Sequence, residues 1–484
     1  MEYSANYRNT PLSIVLIANL RSLTLERWWS KLFVNLSKLD LKETCSSADK
    51  GAPKLCLRAL PGEGAERSCA FDGARVVLMP ITDAAHLVHS PIACAGNSWD
   101  NRGARSSGSQ LFRRGFTTDL KEQDIIYGGE KKLFQAILEI AAKHRPQAIF
   151  VYSSCVAALI GDDLEKTCAR AQEQLTIPVI PVNAPGFLGD KNIGNRIAGD
   201  VLANRVIGTK DPEAPKVPLS INLIGEYNIA GDLWGVLPDL QNLGIRLQSA
   251  ITGDARFADV QSAHRASLNV LVCSKSLTNL VRTMERRWQI PYINASFYGI
   301  RDTSQALQDI AAALGDPALI ERTKFYIKKR EAVIRQAIAQ YRERLEGKTA
   351  ILFTGGVKTW SMVSTLAELG INILAGGTQN STPEDFLRMK ELMDPTAQII
   401  EDTSSAGFLD IIATKKPDLI VAGGKTKYLA HKTRTPFLDI NHGRKLPYAG
   451  YEGMITFAQA VDRTVFSPVW ELLARPFPSL EATR

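Results

Sequence analysis

Glu130–His144 (EKKLFQAILEIAAKH) leads, after a three-residue turn, into residues 148–152 (AIFVY), and Ser153, Ser154 and Cys155 follow at once. The first segment is charged and amphipathic. The second is short, apolar and partly β-branched. A helix feeding a buried strand is the repeating unit of an α/β sheet. The same alternation extends along the chain from about Cys69. A helix near 163–175 precedes a strand at 177–182, and the Pro- and Lys-bearing stretch 209–218 reads as a linker. Beyond it come strand 219–224, helix 233–243, strands 245–251 and 268–272, helix 276–288 and strand 292–294. The long charged helix Pro317–Leu345 closes that block. A third block opens with strand Thr349–Phe353, a Gly-Gly turn and helix 359–369, and runs on through strands 399–401, Leu419–Ala422 and 437–440.

The sequence therefore predicts an α/β protein of three Rossmann-like domains with parallel sheets. Residues 1–45 read as an N-terminal extension, 46–215 as the first domain, 216–346 as the second, and 347–484 as the third with a C-terminal segment. A chain of 484 residues suits three domains, at roughly 100–200 residues each. Apolar residues make up 45% and charged residues 22%, which allows a large core. The net charge is +8, but the basic residues are scattered and form no block interleaved with aromatics. That argues against nucleic acid and for anionic ligands or an acidic partner protein.

Seven cysteines are spread thinly: Cys45, Cys56, Cys69, Cys94, Cys155, Cys168 and Cys273. An odd, dispersed set argues against a disulfide framework. No apolar run approaches the roughly 18 residues of a membrane span. The apolar stretch 12–20 is short and lacks a clear small-residue cleavage site, so it is not read as a signal peptide. The expected compartment is the cytoplasm, with thiols free for metal.

Ligands of open α/β sheets bind beyond the carboxyl ends of the strands. Cys155, Cys273, the pair Gly355-Gly356 and the run Gly423-Gly424-Lys425 all follow expected strands. Glycine lets the backbone approach a ligand, and the lysine points to an anionic one. Taken singly, a cysteine is more often a small buried hydrophobe, and Cys45, Cys56 and Cys168 keep that reading. Gly424-Lys425-Thr426 looks like the end of a phosphate loop, but Leu419 stands where that loop needs glycine. His86 and His89 with Cys94 lack the paired-cysteine spacing of a zinc site. Gaps of 25, 61 and 118 residues separate Cys69, Cys94, Cys155 and Cys273. They exclude compact ferredoxin spacing and suit a cluster gathered from several loops.

Longer motifs are more specific: 68–74 (SCAFDGA), 86–94 (HLVHSPIAC), 98–103 (SWDNRG), 115–120 (GFTTDL), 151–155 (VYSSC) and 194–199 (GNRIAG). From about residue 69 to about 454 the chain resembles the E subunits of the scaffold that builds the iron–molybdenum cofactor of nitrogenase. That family is grouped with the catalytic α subunit of nitrogenase and with the dark-operative protochlorophyllide reductase subunits. The resemblance implies that Cys69, Cys94 and Cys155 are ligands to a 4Fe–4S cluster completed by a homologous N subunit. It implies that Cys273 holds one iron of a transient iron–molybdenum cofactor precursor. Gly355, Gly356 and Lys358 match a loop lining that pocket, and Lys425 matches a lysine facing homocitrate. Arg102 and Lys191 add positive charge around it. Asn441 stands where the catalytic subunit carries its molybdenum-binding histidine. Implied partners are the N subunit in a complex of two E and two N chains, the nitrogenase iron protein, a donor of the precursor cluster, and the nitrogenase apoprotein that receives the product. Neither nucleic acid nor a membrane is among them.

Departures from the resemblance sharpen the expectation. Asn195-Arg196 replaces a His-His pair of the catalytic subunit, so the chain is expected to hold a cluster without running nitrogenase chemistry. Ser90 replaces a glycine and Leu446 a histidine of the scaffold pattern. The first 45 residues have no counterpart in it. The competing reading is a redox enzyme subunit, of nitrogenase α or protochlorophyllide-reductase type. It has Asn195 and Asn441 against the first version and Cys273 against the second.

Overall fold

The computed structural model describes residues 68–97, 103–273, 276–354, 357–377, 382–400 and 405–474. Thirteen strands within this part form three sheets, and every pairing between them is parallel. The first sheet comprises β1 (Ala85–His89), β2 (Phe116–Thr117), β3 (Ile149–Ser153) and β4 (Val179–Val182), in the order β2-β1-β3-β4. The second comprises β5 (Ser220–Ile224), β6 (Arg246–Ile251), β7 (Leu268–Leu271) and β8 (Tyr292–Asn294), in the order β6-β5-β7-β8. The third comprises β9 (Thr349–Phe353), β10 (Asn372–Gly377), β11 (Gln398–Ile400), β12 (Leu419–Ala422) and β13 (Phe437–Asp439), in the order β11-β10-β9-β12-β13.

Each order reverses once, between β1 and β3, between β5 and β7, and between β9 and β12. Chain leaving the two strands on either side of a reversal turns to opposite faces of the sheet and opens a crevice at their carboxyl ends. The fold therefore supplies three crevices, and the residues just beyond those six strands line them.

Of the six strands at the reversals, β1, β3, β5, β7 and β12 are buried throughout and β9 is buried at its centre, as parallel strands covered on both faces must be. The second and third sheets share one core, from Ile221 and Leu223 to Leu352, Val421, Met454 and Phe457. The first joins the second through Phe150, Val182, Ile224 and Leu271. Pro61–Arg484 accordingly forms one compact unit. The helix Pro317–Leu345 starts on an Asp316 carboxylate that accepts from Leu319 N, with proline in its first turn, and packs against the helix Gly450–Val465. Among the described residues no helix is long and apolar enough to cross a membrane.

The histidines weighed for zinc are spent inside the first sheet. His86 Nδ1 lies 2.8 Å from Tyr152 Oη and Nε2 3.2 Å from Ile81 O. His89 bonds Thr118 Oγ1 at 3.0 Å and Asp162 Oδ2 at 2.8 Å. Both rings are fully buried, with both nitrogens occupied. The extension 1–45, with Cys45 and Cys56, lies outside the described residues.

Candidate functional site

The first crevice gathers three thiols. Cys94 lies in the helix Ile92–Asn97 beyond β1, and Cys155 opens the helix Cys155–Ile160 beyond β3. Cys69 is the N-cap of the helix Ala70–Leu78 and bridges to Asp190. All three are half-buried, and none of the five described cysteines is in a disulfide. A β-carbon added to Gly186 would stand 3.1 Å from both the Cys69 and the Cys155 sulfurs, so those sulfurs lie within twice that distance of each other. Burial pushes the Cys94 thiol up, the neighbouring Cys155 sulfur adds to the shift, a hydrogen bond from Ser90 opposes it, and Cys69 contributes last. Thiolates this close repel one another, and a shared cation would remove that cost.

Among the described residues no three His, Cys, Asp or Glu side chains are grouped as they would be round a single metal ion. A cluster asks for something else. Each of its irons takes its own thiolate, so the sulfurs stand apart around a cradle. Gly186 leaves that cradle clear, and the buried hydroxyl of Ser154 beside Cys155 has no hydrogen-bond partner in the protein. These residues fit an iron–sulfur cluster with three ligands from this chain. Around them the surface is apolar. Ile92, Leu159, Phe187 and Leu188 are exposed, as are Ile126 and Tyr127 on the helix Glu122–Tyr127, which packs on the Cys155 helix. Clustered exposed apolar side chains of this kind are typical of interaction surfaces.

The second and third crevices face a common cleft. Beyond β5 stands Glu226, beyond β7 Cys273, and Lys358 lies in the first turn of the helix Val357–Glu368 that follows β9. Beyond β13 come Asn441 and His442. Gly225, at φ +85°, adopts a conformation that suits glycine, and a β-carbon there would come within 2.9 Å of the Cys273 β-carbon. Gly423 likewise leaves room for the Asn441 amide, whose nitrogen would be 2.7 Å from an added β-carbon. Lys358 Nζ donates to Asn441 Oδ1 at 3.5 Å and sits 5.5 Å from the centre of the Tyr298 ring.

A buried ion pair forms the floor. Arg444 donates to Asp232 through both terminal nitrogens, Nη1 to Oδ1 at 2.7 Å and Nη2 to Oδ2, and both side chains are 1% exposed. Asp232 also accepts from Tyr298 Oη and from Tyr448 N, each at 2.8 Å. Burial works against the Asp232 carboxylate, but the Arg444 charge and hydrogen bonds outweigh it and hold its pKa below the ordinary value. Burial, then Arg444, lowers the Lys358 pKa, while Asp232, Glu226 and Cys273 support its charge. Burial, then Asp232, pushes the Glu226 carboxyl up to about 7, against the pull of Lys358 and Arg444. Desolvation within the cleft, then the charges of Lys191, Lys358 and Arg444, lower the pKa of His442, a residue that is nonetheless exposed to solvent. Glu226, Cys273, Tyr298, Lys358, Asn441 and His442 all keep solvent-accessible surface, as cleft-lining groups do. A thiol among lysines, over a charge-satisfied floor, suits an anionic metal–sulfur ligand.

The structure thus brings Cys69, Cys94 and Cys155 together at one site, and Cys273, Lys358 and Asn441 at another. Lys191 begins the helix Lys191–Arg205 and reaches the second site through its charge on His442. Lys425 is exposed on the turn Gly424–Thr426 beyond β12. Arg102, Gly355 and Gly356 lie outside the described residues. Asn195 is buried in its helix, Arg196 is exposed, and Leu446 is on the surface. Sequence reasoning missed Glu226, Asp232, His442 and Arg444. Glu226 was within reach of the strand-end rule, two residues beyond β5. Asp232 and Arg444 are 212 residues apart, and nothing local links them.

The family described as nitrogenase component 1 type oxidoreductase matches residues 69–466. The nitrogenase iron-molybdenum cofactor biosynthesis protein NifE of Nostoc sp. is 52% identical over 421 residues, 87% of each chain. Its namesake from Klebsiella pneumoniae is 49% identical over 424 residues, 86% of this chain and 93% of that protein. The solved structure of nitrogenase Cp1 at pH 5 superimposes with a TM-score of 0.81 at 30% identity, covering 87% of this chain and 92% of the other.

Proposed function

The chain belongs to the nitrogenase component 1 type oxidoreductase family, and from that premise we propose that it is the scaffold subunit on which the iron–molybdenum cofactor of nitrogenase is assembled and matured. The observation that carries this reading is the chemistry of the cleft. One thiol, Cys273, and one amide, Asn441, share the cleft through Lys358, which engages the amide and feels the thiol's charge. Thiolate is a strong ligand for iron, whereas an amide is a poor substitute for imidazole on a transition metal. A cargo held firmly at one end and loosely at the other can be worked on and then released.

In this reading Cys69, Cys94 and Cys155 would hold a 4Fe–4S cluster, and a homologous N subunit would complete it. When bound, that cluster supplies a one-electron relay and a joint between the subunits. The exposed apolar side chains around the three thiols support the joint, because a partner would bury them. Two E and two N chains would make the complex. The cargo is the precursor, an iron–sulfide core of negative charge. Lys358 and Lys191 would draw it in, and with Lys425 and Arg102 they would attract the homocitrate added later with molybdenum. The Asp232–Arg444 pair fixes the floor, so the positions of Tyr298 and Lys358 are set before cargo arrives. Gly355 and Gly356 belong to the pocket set of this reading and lie outside the described residues. The nitrogenase iron protein, the precursor donor and the recipient apoprotein are the further partners of this reading.

The test is anaerobic purification with and without the N subunit, followed by iron analysis and electron paramagnetic resonance. The 4Fe–4S signal is expected only in the complex, and alanine at Cys69, Cys94 or Cys155 should remove it. Cys273→Ala should leave that signal intact and lower precursor occupancy. A monomeric chain replete with iron would refute the shared cluster, and unchanged loading of Cys273→Ala would refute the cleft.

A further inference from the structure

Ser90 sits between β1 and the helix that carries Cys94, and it is wholly buried. Its backbone is already tied down. Ser90 N donates to Thr118 Oγ1 at 3.3 Å, and Ser90 O accepts from Leu120 N at 2.9 Å and from Thr117 Oγ1 at 3.3 Å. None of these bonds involves the side-chain hydroxyl, so the main chain can keep its course without it.

The hydroxyl has one proton and two acceptors in reach. One is the Pro91 carbonyl oxygen, at 2.6 Å. The other is the Cys94 sulfur: Cys94 N donates to the same Pro91 carbonyl oxygen at 3.3 Å, which places the residue beside the hydroxyl, and donation from Ser90 opposes the rise of the Cys94 pKa. Against a neutral thiol the carbonyl is the better acceptor. Against a thiolate on iron the balance reverses, because hydrogen bonds to charged acceptors are roughly twice as strong as neutral ones. No solvent competes for the proton at a buried site.

We infer that Ser90 is a tuning residue of the interfacial cluster, its hydroxyl donating to the Cys94 sulfur and raising the reduction potential of the cluster. The inference rests on reading Cys69, Cys94 and Cys155 as cluster ligands. A donor at a ligand sulfur draws electron density from the iron–sulfur core, so the next electron is accepted more readily. Hydrogen bonds to the sulfurs are among the factors that set cluster potentials. Ser90 acts through Cys94 and touches no cargo, so it is a positioning residue and not a catalytic one.

The experiment uses the anaerobically purified complex with the N subunit, in wild-type form and with Ser90→Ala, Ser90→Gly and Ser90→Thr. Iron is counted in each, and the cluster is titrated against potential by electron paramagnetic resonance. Ser90→Ala and Ser90→Gly are expected to keep their iron and to shift to more negative potential, while Ser90→Thr, which keeps the hydroxyl, stays near wild type. A wild-type potential in Ser90→Ala or Ser90→Gly at full iron content would overturn the inference. Loss of iron from both, with iron retained in Ser90→Thr, would also overturn it, because the hydroxyl would then hold the cluster and not tune it. Failure of the underlying ligand assignment shows separately, as a wild-type complex with no cluster signal or a Cys94→Ala complex with a full one.

Discussion

Glu226 is the residue whose charge is most finely balanced in the cleft. Burial and Asp232 push its carboxyl up to about 7, while Lys358 and Arg444 pull the other way. Below that pH the group is neutral, and above it the group is negative and repels an anionic cargo. Precursor binding should therefore weaken as pH rises through about 7, by roughly tenfold, equivalent to about 1.4 kcal/mol. His442 stays neutral over this range and does not contribute. Lys358, whose pKa is lowered, would act in the same direction, so the comparison with Glu226→Gln isolates the carboxylate. Precursor retention measured at about pH 6 and about pH 8 should fall in wild type and stay nearly level in Glu226→Gln; equal falls in both would exclude Glu226 as the cause. At this scale the sequence was legible where chemistry is rare. A cysteine directly after a strand is uncommon enough to single out, and Cys273 was singled out. A glutamate at the matching position after β5 is ordinary, and only the folded cleft gives it meaning.

Helices and strands were legible where local propensity and tertiary need agree. The helices Glu130–His144 and Pro317–Leu345 and the strands Thr349–Phe353 and Leu419–Ala422 fall where the pattern put them. The helix Lys191–Arg205 was not anticipated, and its glycines explain why. Gly194 and Gly199 weaken a helix by about 1 kcal/mol each relative to alanine, so local propensity does not mark the segment as helical. They are there for packing. A β-carbon on Gly194 would lie 1.9 Å from Ala70 O, and one on Gly73 would lie 2.1 Å from Lys191 O. The two helices touch backbone to backbone, and this contact fixes Cys69 at the end of one and Lys191 at the start of the other. Strand β1 was missed because His86 and His89 interrupt its apolar run, and β10 because it ends in two glycines and carries a register shift between Ile373 and Ala375. Gly194→Ala should force the helices apart and lower stability by about 3 kcal/mol. It should also reduce the iron held with the N subunit. Thermal unfolding and iron analysis check this, and wild-type values in both would show that the close approach is dispensable.

Across the whole molecule, three sheets share continuous cores, so the crevices at their reversals are held in fixed relation within one compact unit. The architecture was legible as alternating helices and strands, but the strand orders were not. Those orders, set by long-range pairing, decide which strand ends meet. They put Cys94 with Cys155, and the core shared by the second and third sheets brings Cys273 to Lys358 and Asn441. In the proposed function the two sites divide the work: the surface thiols would join the chain to its partner, and the cleft would handle cargo. The measurement that tests this most directly is transfer. The purified complex is loaded with precursor, supplied with molybdenum and homocitrate, and mixed with nitrogenase apoprotein lacking its cofactor. The account predicts that the apoprotein gains activity while the complex alone reduces no substrate. A loaded complex that never activates the apoprotein, or one that reduces dinitrogen by itself, would contradict it.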